Sequence, residues 1–291
     1  RCADVTGVQT CALPIYSDGT WGLSQLLKEA QKVGLEFLSI TDHDTLDAYK
    51  ELKKIDYKKL YTGKIIPGIE LNTVYNGVAF HMLAYNFECE KLEEWVRNKY
   101  ENKKPNLDVE FDIMMNSCKK NNIIIDDLKY DAKDGWPIDI IFPEIKKHEE
   151  NKKYFTVDEW NNIDVFFNSC VTNRDFPVFV DFSIHYPNAK EVSNEVRKAG
   201  GKLFLAHVYK YKLKEPLEFI NSLKKDNIID GVEVYHSSFS DEQTKTLEKY
   251  CIENKLLMSG GSDCHGEKKP DRKIGTGYNN LNISSKILEN W

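Results

Sequence analysis

The chain has 291 residues, 41% apolar and 30% charged, with a formal net charge of −6. That length suits one large domain, or one domain with a substantial insertion, and excludes a small scaffold stapled by disulfides. Acidic and basic residues are interspersed, so no strong basic field exists to hold a nucleic-acid backbone, and no run approaches the ~20 apolar residues of a membrane span.

The first fifteen residues, RCADVTGVQTCALPI, open on Arg1 rather than Met and show no basic region followed by an apolar core. They resemble translated sequencing-adaptor read-through, and residues 1–15 are therefore expected to be a non-native leader on an N-terminally truncated fragment. They are still apolar enough to supply one strand before Tyr16. From Leu23, the apolar stripe Leu23, Leu26, Leu27, Ala30 and Val33 predicts a helix stopped by Gly34. LEFLSITDHD then reads as a buried strand whose C-terminal end opens into polar, ionisable residues.

DAYKELKK is helical in character, GKIIPGIELN and GVAFHMLAYNF are strand-like, and YNG between them signals a hairpin. Between residues 92 and 186 the rhythm dissolves into Lys, Asn, Asp and aromatic residues, which predicts an inserted, helical cap. After it come helix NAKEVSNEVRKAGG, strand KLFLAHV, helix EPLEFINSLKKDN, strand DGVEVYH, helix DEQTKTLEKYCIEN and strand LLMSGGSDCH. Alternating helices and strands predict a mostly parallel α/β architecture, closed or nearly closed because ionisable residues recur at so many strand ends.

Seven cysteines (Cys2, Cys11, Cys89, Cys118, Cys170, Cys251 and Cys264) form no Cys-x-x-Cys pair. That usage suits a reducing compartment, and the expected location is cytoplasmic.

Of seven histidines, four stand at or near predicted strand ends beside acids or glycines: His43, His81, His207 and His265. Asp18, Glu70 and Asp263 are placed in the same way. A single histidine of this kind is more often a satisfied core or surface residue than a ligand; the signal is the coincidence of several. Imidazole with carboxylate suits Zn, Mn or Fe(II), and a carboxylate with two donor oxygens can bridge two ions. Asp42 and Asp44 flank His43 as candidate acceptors orienting it. His236, Lys210 and Arg272 are weaker candidates for contacting substrate, with surface charge the blander reading of Lys210, Lys212 and Arg272. His148 and His185, in or beside the insertion, receive no role. Tyr154, Phe155 and Trp160 would either stack on a base or form the insertion's core.

The stretches YSDGT, GLEFLSITDHDTLDAYKEL, IIPGIELNT, FHMLAY, AGGKLFLAHV, DGVEVYHSS and GGSDCHG, in that order, resemble the polymerase and histidinol phosphatase (PHP) domain family. The resemblance implies a distorted seven-stranded, TIM-like βα barrel over residues 16–91 and 187–291, interrupted by the 92–186 insertion. It also implies up to three metal ions and hydrolysis of phosphate esters. On that pattern Glu70 would bridge two ions, with His81 and His207 completing one site. Asp18, His43 and His265 would hold a third ion, and Asp263 would join Glu70 at the first. Val208 stands where the family usually has proline. The family's first-strand His-x-His would fall at positions 11 and 13, here Cys11 and Leu13, so two of the three ions are expected to be retained and activity to be impaired.

The expected activity is metal-dependent phosphoester hydrolysis by a metal-activated water, with manganese, zinc or iron as cofactor. No nucleophile elbow or Walker-type loop suggests otherwise. The favoured substrate is a nucleotide or the end of a short RNA, ahead of histidinol phosphate, with no membrane or obligate protein partner. The competing readings are a barrel that binds metal or ligand without turnover and a metal-dependent amidohydrolase.

Overall fold

The computed structural model describes residues 8–9, 16–17, 19–101, 107–131, 135–173, 175–181, 185–211, 213–268, 270–278 and 281–291. Asp18, Cys11, Leu13 and most of the expected leader lie outside them. The chain divides into two compact units, residues 1–102 with 187–291, and residues 103–186. The first unit runs beyond the break in rhythm at residue 92 because Leu92 and Val96 on the helix Cys89–Val96 are buried in its core.

Eight strands among the described residues of the first unit form two sheets. β1 (Val8–Gln9), β2 (Phe37–Leu38) and β3 (Lys64–Ile65) make a short parallel sheet. β4 (Gly68–Tyr75), β5 (Val78–Tyr85), β6 (Lys202–Leu205), β7 (Gly231–His236) and β8 (Leu257–Gly261) make the larger one, in that order. The backbone joins the two where Glu70 N–H donates to Asp42 O (3.1 Å) and Asp44 N–H to Glu70 O (2.9 Å).

The larger sheet is mixed rather than mostly parallel. β5 runs antiparallel to β4 and to β6, whereas β6, β7 and β8 are parallel. The cause is local: Asn76 (φ 49°) and Gly77 (φ 74°) form a two-residue turn with both residues left-handed, which reverses the chain directly onto its neighbour. The stretch GKIIPGIELN, expected as one strand, is split into β3 and β4 at Pro67, which has no N–H for a ladder.

The helices of the first unit follow the expected periodicity. α1 (Leu23–Lys32) buries Leu23, Leu26, Leu27 and Ala30, and Gly34 at φ 72° ends it in the left-handed conformation that lacks a Cβ penalty. α2 spans Asp47–Leu52 and α3 Cys89–Val96. After the second unit come α8 (Ala189–Lys198), α9 (Pro216–Lys225) and α10 (Asp241–Asn254), the last started by a Ser240–Gln243 capping box.

The second unit is helical in its described residues: α4 (Leu107–Lys120), α5 (Pro137–Lys147), α6 (Val157–Asn161) and α7 (Ile163–Phe166). Its core gathers Phe111, Met114, Met115, Ile141, Phe142 and Phe166. Trp160 is buried there, and Phe155 packs against Trp160, Phe166 and Phe176 at centroid distances of 6.0, 5.5 and 5.8 Å, with Tyr154 beside them. These aromatics belong to the core and offer no platform for a base. No described helix is long and apolar enough to cross a membrane, and the five described cysteines form no disulfide with one another.

Close approach of β6, β7 and β8 depends on Gly231. A Cβ there would stand 2.5 Å from Leu257 O and 2.5 Å from the Phe204 ring. Gly231→Ala is expected to lower the unfolding free energy by about 1–3 kcal/mol, read as a reduced midpoint in urea denaturation; an unchanged midpoint would show that the strands can separate at no cost.

Candidate metal centre

The site is built at strand ends of the first unit. On the β4–β5 hairpin Asn72 faces His81, so Glu70 and His81 are diagonal neighbours on one face of the sheet. His81 O accepts from Ala206 N (3.1 Å), which brings the residue after it, His207, alongside. His43 arrives from beyond β2, opposite Glu70. The Glu70 carboxylate is thereby surrounded by three imidazoles: His81 Nδ1 at 2.6 Å, His207 Nε2 at 2.9 Å and His43 Nε2 at 3.9 Å. The rings form a ladder, His43 to His81 at 4.9 Å, His81 to His207 at 5.1 Å and His207 to His236 at 5.7 Å.

A second part of the site centres on Asp263, in the segment after β8. Its Oδ2 accepts from Arg272 Nη1 and from Lys210 Nζ (3.3 Å), and lies 3.6 Å from His236 Nε2. Arg272 also donates from Nε to Tyr278 Oη (3.0 Å). Lys210 and Arg272 are therefore tied to a buried carboxylate, a departure from plain surface charge. His265 is buried with Nδ1 2.8 Å from Asp263 O. His236 is buried too, its Nδ1 taking Ser238 N–H at 3.1 Å, so it faces Asp263 and His207 and is closed to solvent.

A bulge at Val234 explains how β7 serves this arrangement. Glu233 pairs with Ser259 and His236 with Gly261, so two residues with an odd separation on β7 share a face. Glu233 Oε2 accepts His207 N–H at 2.7 Å. That anchor holds His207 at φ 24°; Asp263 (φ 52°) and Asp44 (φ 58°) are also left-handed. Three non-glycine residues at the site thus hold uncommon backbone conformations, which surrounding contacts must maintain.

Neither acid beside His43 orients its ring. Asp42 Oδ1 accepts from Tyr16 N (2.7 Å) and Ser17 N (3.2 Å), while Ser17 Oγ accepts His43 N–H (3.1 Å). Asp44 instead receives Asn72 N–H (2.8 Å) and Nδ2–H (2.6 Å). Sequence reasoning missed Glu233, Asn72 and Tyr211, whose hydroxyl accepts His81 N–H at 2.9 Å. Only Glu233 carried a visible signal, an acid inside an apolar strand.

The donors suit a divalent cation. Burial pushes the Glu70 carboxyl up, but the His43 charge and the His207 and His81 hydrogen bonds outweigh it and hold Glu70 well below the usual carboxylate range. Burial drives His207 well below its ordinary value against the pull of Glu70, so the imidazole is neutral. An ionised carboxylate beside the neutral His207 imidazole is a protonation state a metal requires. The nearest ligand atoms of His43, Glu70 and His81 lie within 4.8 Å of one another, and the buried Nδ1 atoms of His43 and His207 have no hydrogen-bond partner.

No family model matches the chain, and no curated protein matches it. Solved structures do share its fold. One, assigned as a metal-dependent phosphoesterase of Bifidobacterium adolescentis, superposes with a TM-score of 0.62 at 22% identity, over 98% of this chain and 94% of that one. An amidohydrolase of Chromobacterium violaceum, solved with sulfate and no metal, gives 0.63 at 17% identity, over 94% and 90%.

Burial lowers His236 from 6.5 to about 4. The unfolded chain takes up this proton near pH 6.5 and the folded chain only near pH 4, so stability is full above that window and falls as pH drops through it. In metal-free protein, His236→Gln is expected to flatten the loss of stability between pH 6.5 and 4, measured by urea denaturation; an unaltered slope would mean His236 protonates equally in both states.

Proposed function

We propose that this chain is a metal-dependent phosphoesterase of the PHP family, its first unit a distorted βα barrel and its second an insertion. The observation that carries the reading is the buried Glu70 carboxylate among His43, His81 and His207, beside an Asp263 that already gathers Arg272 and Lys210. Fold likeness to a solved phosphoesterase supports it.

In this reading Glu70, His81, His207 and His43 hold divalent metal, with Asp263, His265 and Asp18 contributing as the family pattern implies. Bound there, manganese, zinc or iron would polarise a phosphoryl oxygen and lower the pKa of a coordinated water. The chain's own task is positional. Glu233 and Tyr211 fix the backbones of His207 and His81, so both rings meet one carboxylate without searching. Arg272, largely buried, and the more exposed Lys210 are cations already held at the site, and on arrival of a phosphate dianion their donors have a second acceptor to turn to. A nucleotide or RNA-end phosphate remains the favoured substrate class, on the family resemblance alone.

The amidohydrolase of the same fold makes amide hydrolysis the competing outcome. Purified protein with added Mn²⁺ is expected to hydrolyse an aryl phosphate and leave an aryl amide intact. Glu70→Gln and His207→Ala should each lower kcat/KM by about 100-fold or more, in line with loss of a metal ligand or its support. Histidines restored together at positions 11 and 13 should raise turnover. Amide cleavage in the same assay, or no turnover after that restoration, would overturn the phosphoesterase reading.

A further inference from the structure

The helical unit holds another group of ligand-type side chains that the proposed reaction does not use. Glu144 and His148 stand four residues apart at the C-terminal end of α5 and so share one side of it, and Asp126 approaches from the segment after α4. One ligand atom from each lies within 4.8 Å of the others. His148 Nε2 is 3.4 Å from Asp126 Oδ1. Two ligands at zinc–nitrogen and zinc–oxygen distances, at a tetrahedral angle, stand about 3.3 Å apart; this pair already has that separation.

Two of the three donors are unsatisfied. Glu144 is 4% exposed, yet its Oε1 is buried without a hydrogen-bond partner, as is His148 Nε2. The other carboxylate oxygen, Oε2, accepts from Lys147 Nζ at 2.5 Å, but Lys147 is 65% exposed and free to swing into solvent. The frame around the cluster is fixed. Asn151, fully buried, accepts Ile124 N–H at 2.8 Å and donates to Ile124 O (2.7 Å) and Ile145 O (2.9 Å), clamping the Asp126 segment onto the end of α5. The free carbonyls of a helix C-terminus add negative potential at that end.

We infer that Asp126, Glu144 and His148 bind one divalent transition-metal ion of the zinc type. Imidazole with two carboxylates selects such an ion over calcium or magnesium, which take all-oxygen sites, and three protein ligands leave a position for water. The ion would pin the 121–131 segment to α5, independently of the reaction in the first unit.

Zinc added to the full chain provides the test. Crystals soaked in Zn²⁺ should show anomalous density bounded by these three side chains, and hydrogen exchange should slow at residues 121–131 and 145–151. Asp126→Asn, at an exposed position that leaves the core intact, and His148→Gln should each weaken this ion at least tenfold and abolish that protection, while Glu70→Gln leaves both unchanged. Lys147→Met, removing the competing ammonium, should tighten binding. Absence of the anomalous peak, or the same zinc affinity and protection in Asp126→Asn and His148→Gln, would overturn the inference.

Discussion

One buried carboxylate organises the first unit. Glu70 sits buried on β4, the end strand of the larger sheet, with three imidazoles drawn onto it, and an ionised group so placed is tolerated only because those rings hydrogen-bond and polarise around it. The hairpin register that sets His81 diagonally to Glu70, the anchor from Glu233 to the His207 backbone and the bridge from Asp42 to the Glu70 backbone each preserve that arrangement. Removing the carboxylate would leave three imidazoles with no common acceptor, so the cost falls on the whole set.

The neighbouring Asp263 solves the same problem differently. Its partners are permanent cations, Arg272 and Lys210, with a buried neutral His236 behind them. One carboxylate is thus matched to imidazole rings and the other to fixed positive charge. The two halves meet through the His207–His236 ring contact, so a change in charge on one side is felt on the other through a short, low-dielectric path.

Much of this was legible in the sequence, where local physics decides. The apolar stripe of α1, the Gly34 stop and the Asn76–Gly77 turn are set by periodicity and by φ > 0, and each appears where those rules put it. The gathering of His43, Glu70, His81 and His207 was also readable, since each follows or closes an apolar run. What depends on register was not. The antiparallel pairing of β5 with β6 and the bulge at Val234 arise from which strand lies beside which, and no window of sequence contains that information. The partners of Asp42 and Asp44 were misjudged for the same reason: adjacency to His43 along the chain says nothing about which backbone each carboxylate faces in space. Lys210 looked like solvated charge because the acid that captures it is 53 residues away, and Arg272 because nothing in its neighbourhood along the chain shows that the loop folds back onto Asp263.

The contacts around Thr20 carry a kinetic consequence. Thr20 N–H and Oγ–H both donate to His265 O at 3.3 Å, and Thr20 Oγ accepts Glu267 N–H at 2.8 Å, across 245 residues of chain. Contacts of such separation exact a large loop-closure entropy and form late. During synthesis the segment bearing His265 leaves the ribosome after the one bearing His207, so the Glu70 cluster can gather first while the Asp263 side stays open. Order of assembly is thus written into the wiring: the fold admits the carboxylate–imidazole cluster first and defers the Thr20–His265 clasp until the chain has been made through Glu267.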